Sequence, residues 1–589
     1  MKQFKLYMVL LSALCFSFQS CLDLEPEAQL AETNLWKNPE QYKLFASQFY
    51  SWTRDFKALD DGPHSDGRSD LRTGATLDVY SNGTYSIPSS DKNYTDNYDR
   101  IRQVNLLLQN AENYPIKEDI KTSVGEARFF RAYLHFDLLQ VYGDIIIVRQ
   151  PLGITSAELQ KARDSREDVI DFIIQDLREA IDMLPAFKNI AASDEGRVSR
   201  EAAQAFLSRV ALYEGTWLKS RNGNQNTERS KSLLDIAVNA ADEVIKSNTF
   251  SLFKPGEELA TTAYKYLFIL ENVKSNPAGL TKKDNKEYIF YRRHDEVISA
   301  IGFNITQGRL GNALYITRKM ANMYLDKNGL PIDPAVWNYQ DMESEFQGRD
   351  NRMVNTMMVN GDYYWSNGPG RVNWTGDADD KKNATFAPFN PAQKGGSGYF
   401  TQKWCTERTV ATGKEGYDFP IIRYAEVLLN YAEAIFERDD EISDTDLKKS
   451  LNLVRKRINP DMKDLTNQFV AENGLNMRTE IRRERTVELF DEGFRMDDLK
   501  RWYTAREEMK MDLLGVKWKG TEFEKEWPSV SSPVNADGCL ILESGRIWND
   551  KHYLYPLPTD QLLLNPNLKQ NPGSVSYTHL RAHETSAHL

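Results

Sequence analysis

Cysteine and histidine are scarce in this chain, with 4 Cys and 7 His in 589 residues. So few cysteines exclude a disulfide framework as the basis of the fold. There is no extended basic tract, and 74 Lys+Arg stand against 85 Asp+Glu, for a net charge of −11. That balance argues against a phosphate-backbone binder, so nucleic acid is not expected as a partner. After residue 20 no stretch approaches eighteen consecutive apolar residues, and mean hydropathy is −0.58, which leaves no candidate spanning helix in the body. What the chain does have is 41% hydrophobic and 11% aromatic residues. That supports a real core and excludes global disorder. The length suits roughly two to four domains, or one large composite unit.

The two ends read differently from the body. Lys2 and Lys5 precede an apolar run from Leu6 to Phe18, and Gln19-Ser20-Cys21 follows. This has the parts of a secretory signal, and the run is too short to span a bilayer. Phe18-Gln19-Ser20-Cys21 is similar to a bacterial lipobox, although Phe18 and Gln19 depart from the usual Leu and small residue. Residues 1–20 are therefore expected to be a lipoprotein signal peptide, with Cys21 the lipidated anchor. Removing Lys2 and Lys5 takes the charge from −11 to −13. Of the cysteines, Cys405 and Cys539 then remain unplaced; an oxidising compartment would permit a bond, but the sequence shows no proximity. At the other end, Ser574 to Leu589 holds His579, His583 and His588 without an amphipathic pattern or an H-E-x-x-H motif. This tail resembles translated sequencing-adapter read-through and is expected to be non-native. His64, His135, His294 and His552 remain, in no metal-ligand spacing.

Helical periodicity dominates the body. Apolar stripes predict helices at Glu40–Trp52, Asn97–Ala111, Val124–Val141, after a Ser165 cap, after a Ser199 cap, and at Ser230–Ile245. Later stripes run through Ala425–Ile435, Leu447–Ile458 and Ile481–Leu499. Small residues at the seams suggest stacked helical hairpins, although no strict repeat period is visible. Short strands are expected at Ile145–Val148 and Tyr288–Tyr291. Two stretches lack a period: Asp55–Asn93 and Thr306–Pro420. Aperiodic stretches this long inside a folded chain are usually functional loops.

Several ordered segments resemble the motifs of a single family. Glu126-Ala127-Arg128-Phe129-Phe130-Arg131-Ala132-Tyr133 leading to Tyr142-Gly143-Asp144 is similar to a family helix and turn. Arg197-Val198-Ser199, Asp326-Lys327-Asn328-Gly329 and Gly348-Arg349-Asp350 follow in order. Pro420-Ile421-Ile422-Arg423-Tyr424-Ala425-Glu426 with Glu433, and Ile481-Arg482-Arg483-Glu484-Arg485 with Glu488, Glu492-Gly493 and Arg495, resemble its most specific motifs. Tyr555-Pro556-Leu557-Pro558 resembles the C-terminal end of the same family, the SusD/RagB-like outer-membrane lipoproteins. The charged residues in these motifs sit on otherwise apolar stripes, and such residues are more often paired members of a helix seam than catalysts.

The resemblance implies a mainly α fold, a tetratricopeptide-like helix-pair superhelix with a large loop-rich, irregular ligand-binding half. It implies one composite domain over residues 21–573, with an N-terminal part of about 21–250 and a C-terminal part of about 260–573. It also implies a non-enzymatic, lipid-anchored outer-membrane protein without a cofactor. Such a protein captures an oligosaccharide, or in some relatives a peptide, for a SusC-like TonB-dependent transporter.

Glycan sites combine flat aromatic platforms with a few polar groups that bond hydroxyls. The aperiodic stretches supply such candidates. In the first these are Tyr80, Tyr85 and Tyr94 with Asp66, Arg68, Asp70, Arg72 and Asn82. In the second they are Tyr363, Tyr364, Trp365 and Trp374 with Asn367, Arg371 and Asn373. The rival readings are an extracytoplasmic glycoside hydrolase and a surface scaffold. A hydrolase needs two carboxylates flanking a bond. Asp60, Asp61, Asp66 and Asp70, or Asp377, Asp379 and Asp380, are clustered, but turns explain them as well. Asp377 and Asp379 resemble half a calcium loop, but Pro388 stands where its Glu belongs. No G-x-S-x-G occurs, and Gly395-Gly396-Ser397-Gly398 opens no helix.

Overall fold

A computed structural model describes residues 35–574 apart from 75, 312–313, 366–368, 373 and 375–395. The signal, Cys21, the three tail histidines, Asn367, Asn373, Asp377, Asp379, Asp380, Pro388 and Gly395 lie outside the described residues. The fold is mainly α, built from tetratricopeptide-like helix pairs. The principal helices are α1 (Pro39–Ser47), α2 (Lys92–Glu112), α3 (Lys117–Tyr142), α4 (Arg166–Met183), α5 (Arg200–Arg221), α6 (Glu228–Lys246), α7 (Tyr424–Asp439), α8 (Met477–Glu488) and α9 (Arg495–Arg501). Local chemistry sets their starts. Ser165 accepts from the Asp168 amide and Ser199 from the Ala202 amide, as N-caps do. Thr227 and Ser230 form a reciprocal capping box, so α6 begins ahead of the expected Ser230.

From α2 to α8 each helix packs on the next. Glycine permits a close seam: a Cβ at Gly215 in α5 would lie 2.8 Å from Leu234 Cγ in α6. Residues 247–423 separate α6 from α7 in sequence, yet the two helices pack together. The irregular region is therefore an excursion from one continuous helical stack.

A second core gathers Tyr315, Met320, Tyr364, Trp374, Tyr399 and Phe400 of that region with Trp518 from beyond α9. The strands of the molecule make short antiparallel ribbons. Among them, β1 (Arg72–Thr73) pairs with β3 (Tyr315–Ile316) and β2 (Tyr288–Arg292) with β6 (Phe419–Arg423). In addition, β4 (Tyr363–Trp365) pairs with β5 (Pro369–Arg371) and β7 (Leu513–Lys517) with β8 (Cys539–Glu543). The expected strand at Ile145–Val148 is reduced to one bridge between Ile145 and Asp164.

A buried ionic network joins the two halves. Arg423 contacts Glu287 at 2.8 Å, Glu488 at 2.7 Å and Glu492 at 2.7 Å. Arg457 lies 2.9 Å from Glu287 and 3.0 Å from Glu488, and Arg352 reaches Glu484 at 2.5 Å. Burial alone would raise the Glu488 pKa, but Arg457, Arg423 and Arg352 outweigh it and hold the group at about 2. The expected helix at Ile481–Leu499 breaks here. Asp491 (φ 60°) and Gly493 (φ 79°) turn the chain between α8 and α9 and bring Glu492 into the network. The Leu447–Ile458 stripe likewise splits into Asp444–Lys449 and Leu451–Arg455. Cys405 and Cys539 are both buried free thiols. Among the described residues no helix is long and apolar enough to cross a membrane.

Candidate ligand-binding cleft

The loop between α1 and α2 is pinned to the rest of the molecule by side chains that the sequence marks as ligand candidates. Asp66 is 1% exposed and accepts from the Asp491 amide at 2.5 Å and the Arg495 amide at 3.3 Å. Burial and the neighbouring Asp491 charge push its pKa up to about 7. Arg72, also buried, pairs with Asp60 at 2.7 Å and Asp491 at 2.5 Å. Asp70 pairs with Arg495 at 2.7 Å, and Tyr94 is buried against Tyr98 and Tyr142. These four are enclosed by protein and position the loop. Asn82 closes a local turn by accepting from the Thr84 amide and hydroxyl at 3.1 and 2.6 Å.

Arg68 and Tyr80 reach a cleft of about 560 Å³ at the start of α2 and the end of α3. Trp52, Asp61, Asn93, Asp96 and Arg100 also form its wall. Tyr80 stacks on Tyr555 (centroids 4.6 Å apart, planes 13°) and on Tyr85 (4.8 Å, 21°). The Arg68 guanidinium lies 4.3 Å over the Tyr80 ring and donates to the Tyr555 hydroxyl at 2.8 Å. Tyr85 therefore backs the cluster, while Tyr80 and Tyr555 face the cleft. Tyr555 belongs to the Tyr-Pro-Leu-Pro motif and is not one of the ligand candidates that sequence reasoning finds. No periodicity near position 555 signals a neighbour at position 80.

Buried titratable groups support this wall. His64 places Nδ1 2.7 Å from Asp497 and Nε2 3.1 Å from Asp137. Asp137 also meets Arg54 at 3.3 Å and accepts from Asn97 at 3.0 Å. Burial would raise both carboxyls, yet His64 and Arg54 hold them below the ordinary range. Lys500 is buried with its ammonium 4.8 Å from the Tyr555 ring, and burial lowers its pKa to about 8.

The second group of candidates lies elsewhere, and none of it contributes to the wall at Tyr80. Strand alternation divides it. Tyr363 is 63% exposed, whereas Tyr364 is buried. Trp365 is half-buried, with Nε1 donating to the Val410 carbonyl at 2.7 Å. Trp374 is buried beside Phe346 and Phe523. Tyr364 and Trp374 thus serve the second core, although no helical or strand period in the sequence signals their burial. Arg371 is exposed and stands opposite Tyr363 in the hairpin register.

Of the clustered carboxylates, Asp60, Asp66 and Asp70 are engaged by protein partners, as described above. Asp61 projects to solvent 3.6 Å from Arg68.

A stack of helix pairs carrying a loop-built cleft with stacked tyrosines and mixed charges defines a scaffold suited to holding a polar ligand that also has apolar faces. The SusD family model matches residues 273–573, and a second model, described as starch-binding associating with outer membrane, matches residues 68–212. The chain belongs to the SusD family. It is 22% identical to a SusD-like protein of Bacteroides ovatus over 609 aligned positions, covering 98% of each chain. A SusD-like carbohydrate-binding protein of Bacteroides fragilis has a similar solved structure, with TM-score 0.71, 21% identity, and coverage of 91% of this chain and 99% of that one. A laminarin-binding SusD-like protein is similar at TM-score 0.55 and 19% identity, covering 91% of this chain and 100% of that one.

Proposed function

We propose that this chain is a non-catalytic cell-surface lipoprotein, anchored to the outer membrane through Cys21. In this reading it captures an oligosaccharide and delivers it to a SusC-like TonB-dependent transporter. The observation that carries it is the Arg68–Tyr80–Tyr555 cluster at the mouth of a 560 Å³ cleft in a SusD-family scaffold. Tyrosine rings offer apolar surface to sugar C–H faces, and Arg68, Asn93 and Asp96 offer hydroxyl partners. The laminarin-binding relative favours a glycan over a peptide. Tyr363 and Trp365 form a second, more exposed contact region in this proposal, with Arg371 beside them.

The test is titration of the soluble chain against a panel of glycans and peptides, with product analysis after long incubation. Binding of a glycan that is recovered intact is the expected result. Released product would convert the reading to a glycoside hydrolase, peptide binding would replace the glycan, and no binding at all would favour a surface scaffold.

A further inference from the structure

Four tyrosines and one tryptophan line the Tyr80 cleft, and the tyrosine rings are largely committed to protein. Tyr133, Tyr142 and Tyr555 are buried. Tyr133 is packed against Phe129 and Phe206, and Tyr142 meets Tyr94. Tyr555 has Tyr80 and the Lys500 ammonium against its ring. Tyr80 has Tyr85, Tyr555 and Arg68 against its own, so it meets the cleft mainly by its rim. Trp52 differs. It closes the 3₁₀ turn Gln48–Trp52 just after α1. Side chains three apart eclipse in such a turn, so Phe49 stands behind Trp52, with ring centroids 5.0 Å apart. Phe49 is buried, whereas Trp52 is half-buried at the cleft. Among the described residues no second ring and no cation lies against Trp52, and its Nε1 has no hydrogen-bond partner. A wide apolar ring with a spare N–H suits the C–H face of a sugar and a hydroxyl at its edge.

Helix α2 brings polar groups to the same cleft. Asp96 and Arg100 stand one turn apart on one face of α2, both half-buried and both lining the cleft. Among the described residues the Asp96 carboxylate has no partner, and Arg100 reaches only Asn97 Oδ1, at 3.4 Å. An ionised carboxylate only accepts and a guanidinium only donates, so the two together serve both hydrogen-bonding senses of sugar hydroxyls. On the reading of this cleft as the glycan site, we propose that Trp52 is the side chain that stacks on a sugar ring, with Asp96 and Arg100 bonding hydroxyls of the same glycan. Phe49 backs the indole, so little side-chain freedom is lost when a sugar closes on its open face.

Soluble gluco-, manno-, galacto- and xylo-oligosaccharides, titrated by calorimetry and by tryptophan emission, test this. Trp52→Ala is expected to weaken binding about ten-fold, as truncating a central aromatic contact does, and Trp52→Phe is expected to recover part of the loss. The emission change that a bound sugar causes in the parent is expected to be lost in Trp52→Phe, which keeps the turn and a ring on Phe49. Asp96→Asn with Arg100→Gln is expected to cost about ten-fold as well. Parent affinity in Trp52→Ala, or an emission change kept in full in Trp52→Phe, would overturn the proposal; if Tyr80→Ala still weakens binding, the cleft itself stands as the glycan site. Parent affinity in every one of these variants, Tyr80→Ala included, would overturn both. Failure of the parent to bind any of the four classes would also overturn both.

Discussion

Arg68 and Tyr555, from opposite ends of the described chain, meet through a 2.8 Å hydrogen bond from guanidinium to hydroxyl. The bond fixes the Arg68 plane over Tyr80 and ties the N-terminal loop to the C-terminal motif. Removing the hydroxyl with Tyr555→Phe keeps the ring stack but frees Arg68. A typical net hydrogen bond contributes about 0.5–1.5 kcal/mol, so glycan affinity is expected to fall roughly 2- to 13-fold, read by calorimetry on the glycan found by the panel. Tyr80→Ala removes the central ring of the stack and is expected to cost more. Unchanged affinity in both variants would remove this cleft from the proposed site.

The hairpin offers a contrast between adjacent tyrosines. Tyr364 is buried in the second core and Tyr363 is exposed. Tyr364→Ala is expected to destabilise the protein by about 3–5 kcal/mol, as large-to-small aromatic truncations in cores do. Tyr363→Ala is expected to stay within about 0.5 kcal/mol of the parent, as surface substitutions do. Denaturant unfolding of the two variants measures both, and equal losses would contradict the strand's alternation.

Arg423 faces three buried glutamates, so Arg423→Ala removes a cation that all three share, while Arg457 still pairs with Glu287 and Glu488. A loss of about 3–5 kcal/mol is expected, because deleting one partner from a buried ion network leaves excess buried negative charge. The same network gives an acid limit. Glu488 is held at about 2, below its unfolded value. Its contribution is present above the unfolded carboxylate range and is lost as pH falls through that range toward 2. Acid titration of Tm should show this loss, with Glu488→Gln weakening the acid dependence; an unchanged dependence would contradict the assignment.

Asp66 and Glu415 have the opposite sign. Burial raises each to about 7, above the unfolded carboxylate value. Between about pH 4 and 7 the folded protein binds more protons at these sites than the unfolded chain does, so stability from them falls as pH rises. Asp66→Asn is expected to flatten this part of the Tm profile, even though one backbone hydrogen bond is lost. A steeper decline toward pH 7 in the variant would refute the reading.

Cys21→Ala is expected to move the protein from the membrane pellet to the soluble fraction. Retention in the pellet would count against lipid anchoring.

Amphipathic stripes and caps make the helical stack legible in the sequence, because a helix face is written in local spacing. Ser165 and Ser199 cap where their sequence context says they should. The motif charges Arg423, Glu433, Glu488 and Arg495 also read as paired seam residues, since charge on an apolar stripe must find a partner. The aperiodic loops behave differently. Asp66 and Arg68 stand two residues apart with similar polarity, yet one is enclosed and the other lines a cleft. Tyr363 and Tyr364 are chemically identical neighbours with opposite fates. Burial there depends on contacts such as Asp66 with Asp491 or Tyr80 with Tyr555, made across hundreds of residues, and no local pattern encodes them. The sequence by itself determined the helical scaffold and the family. Only tertiary structure decided which loop side chains are enclosed to hold the fold and which line the cleft.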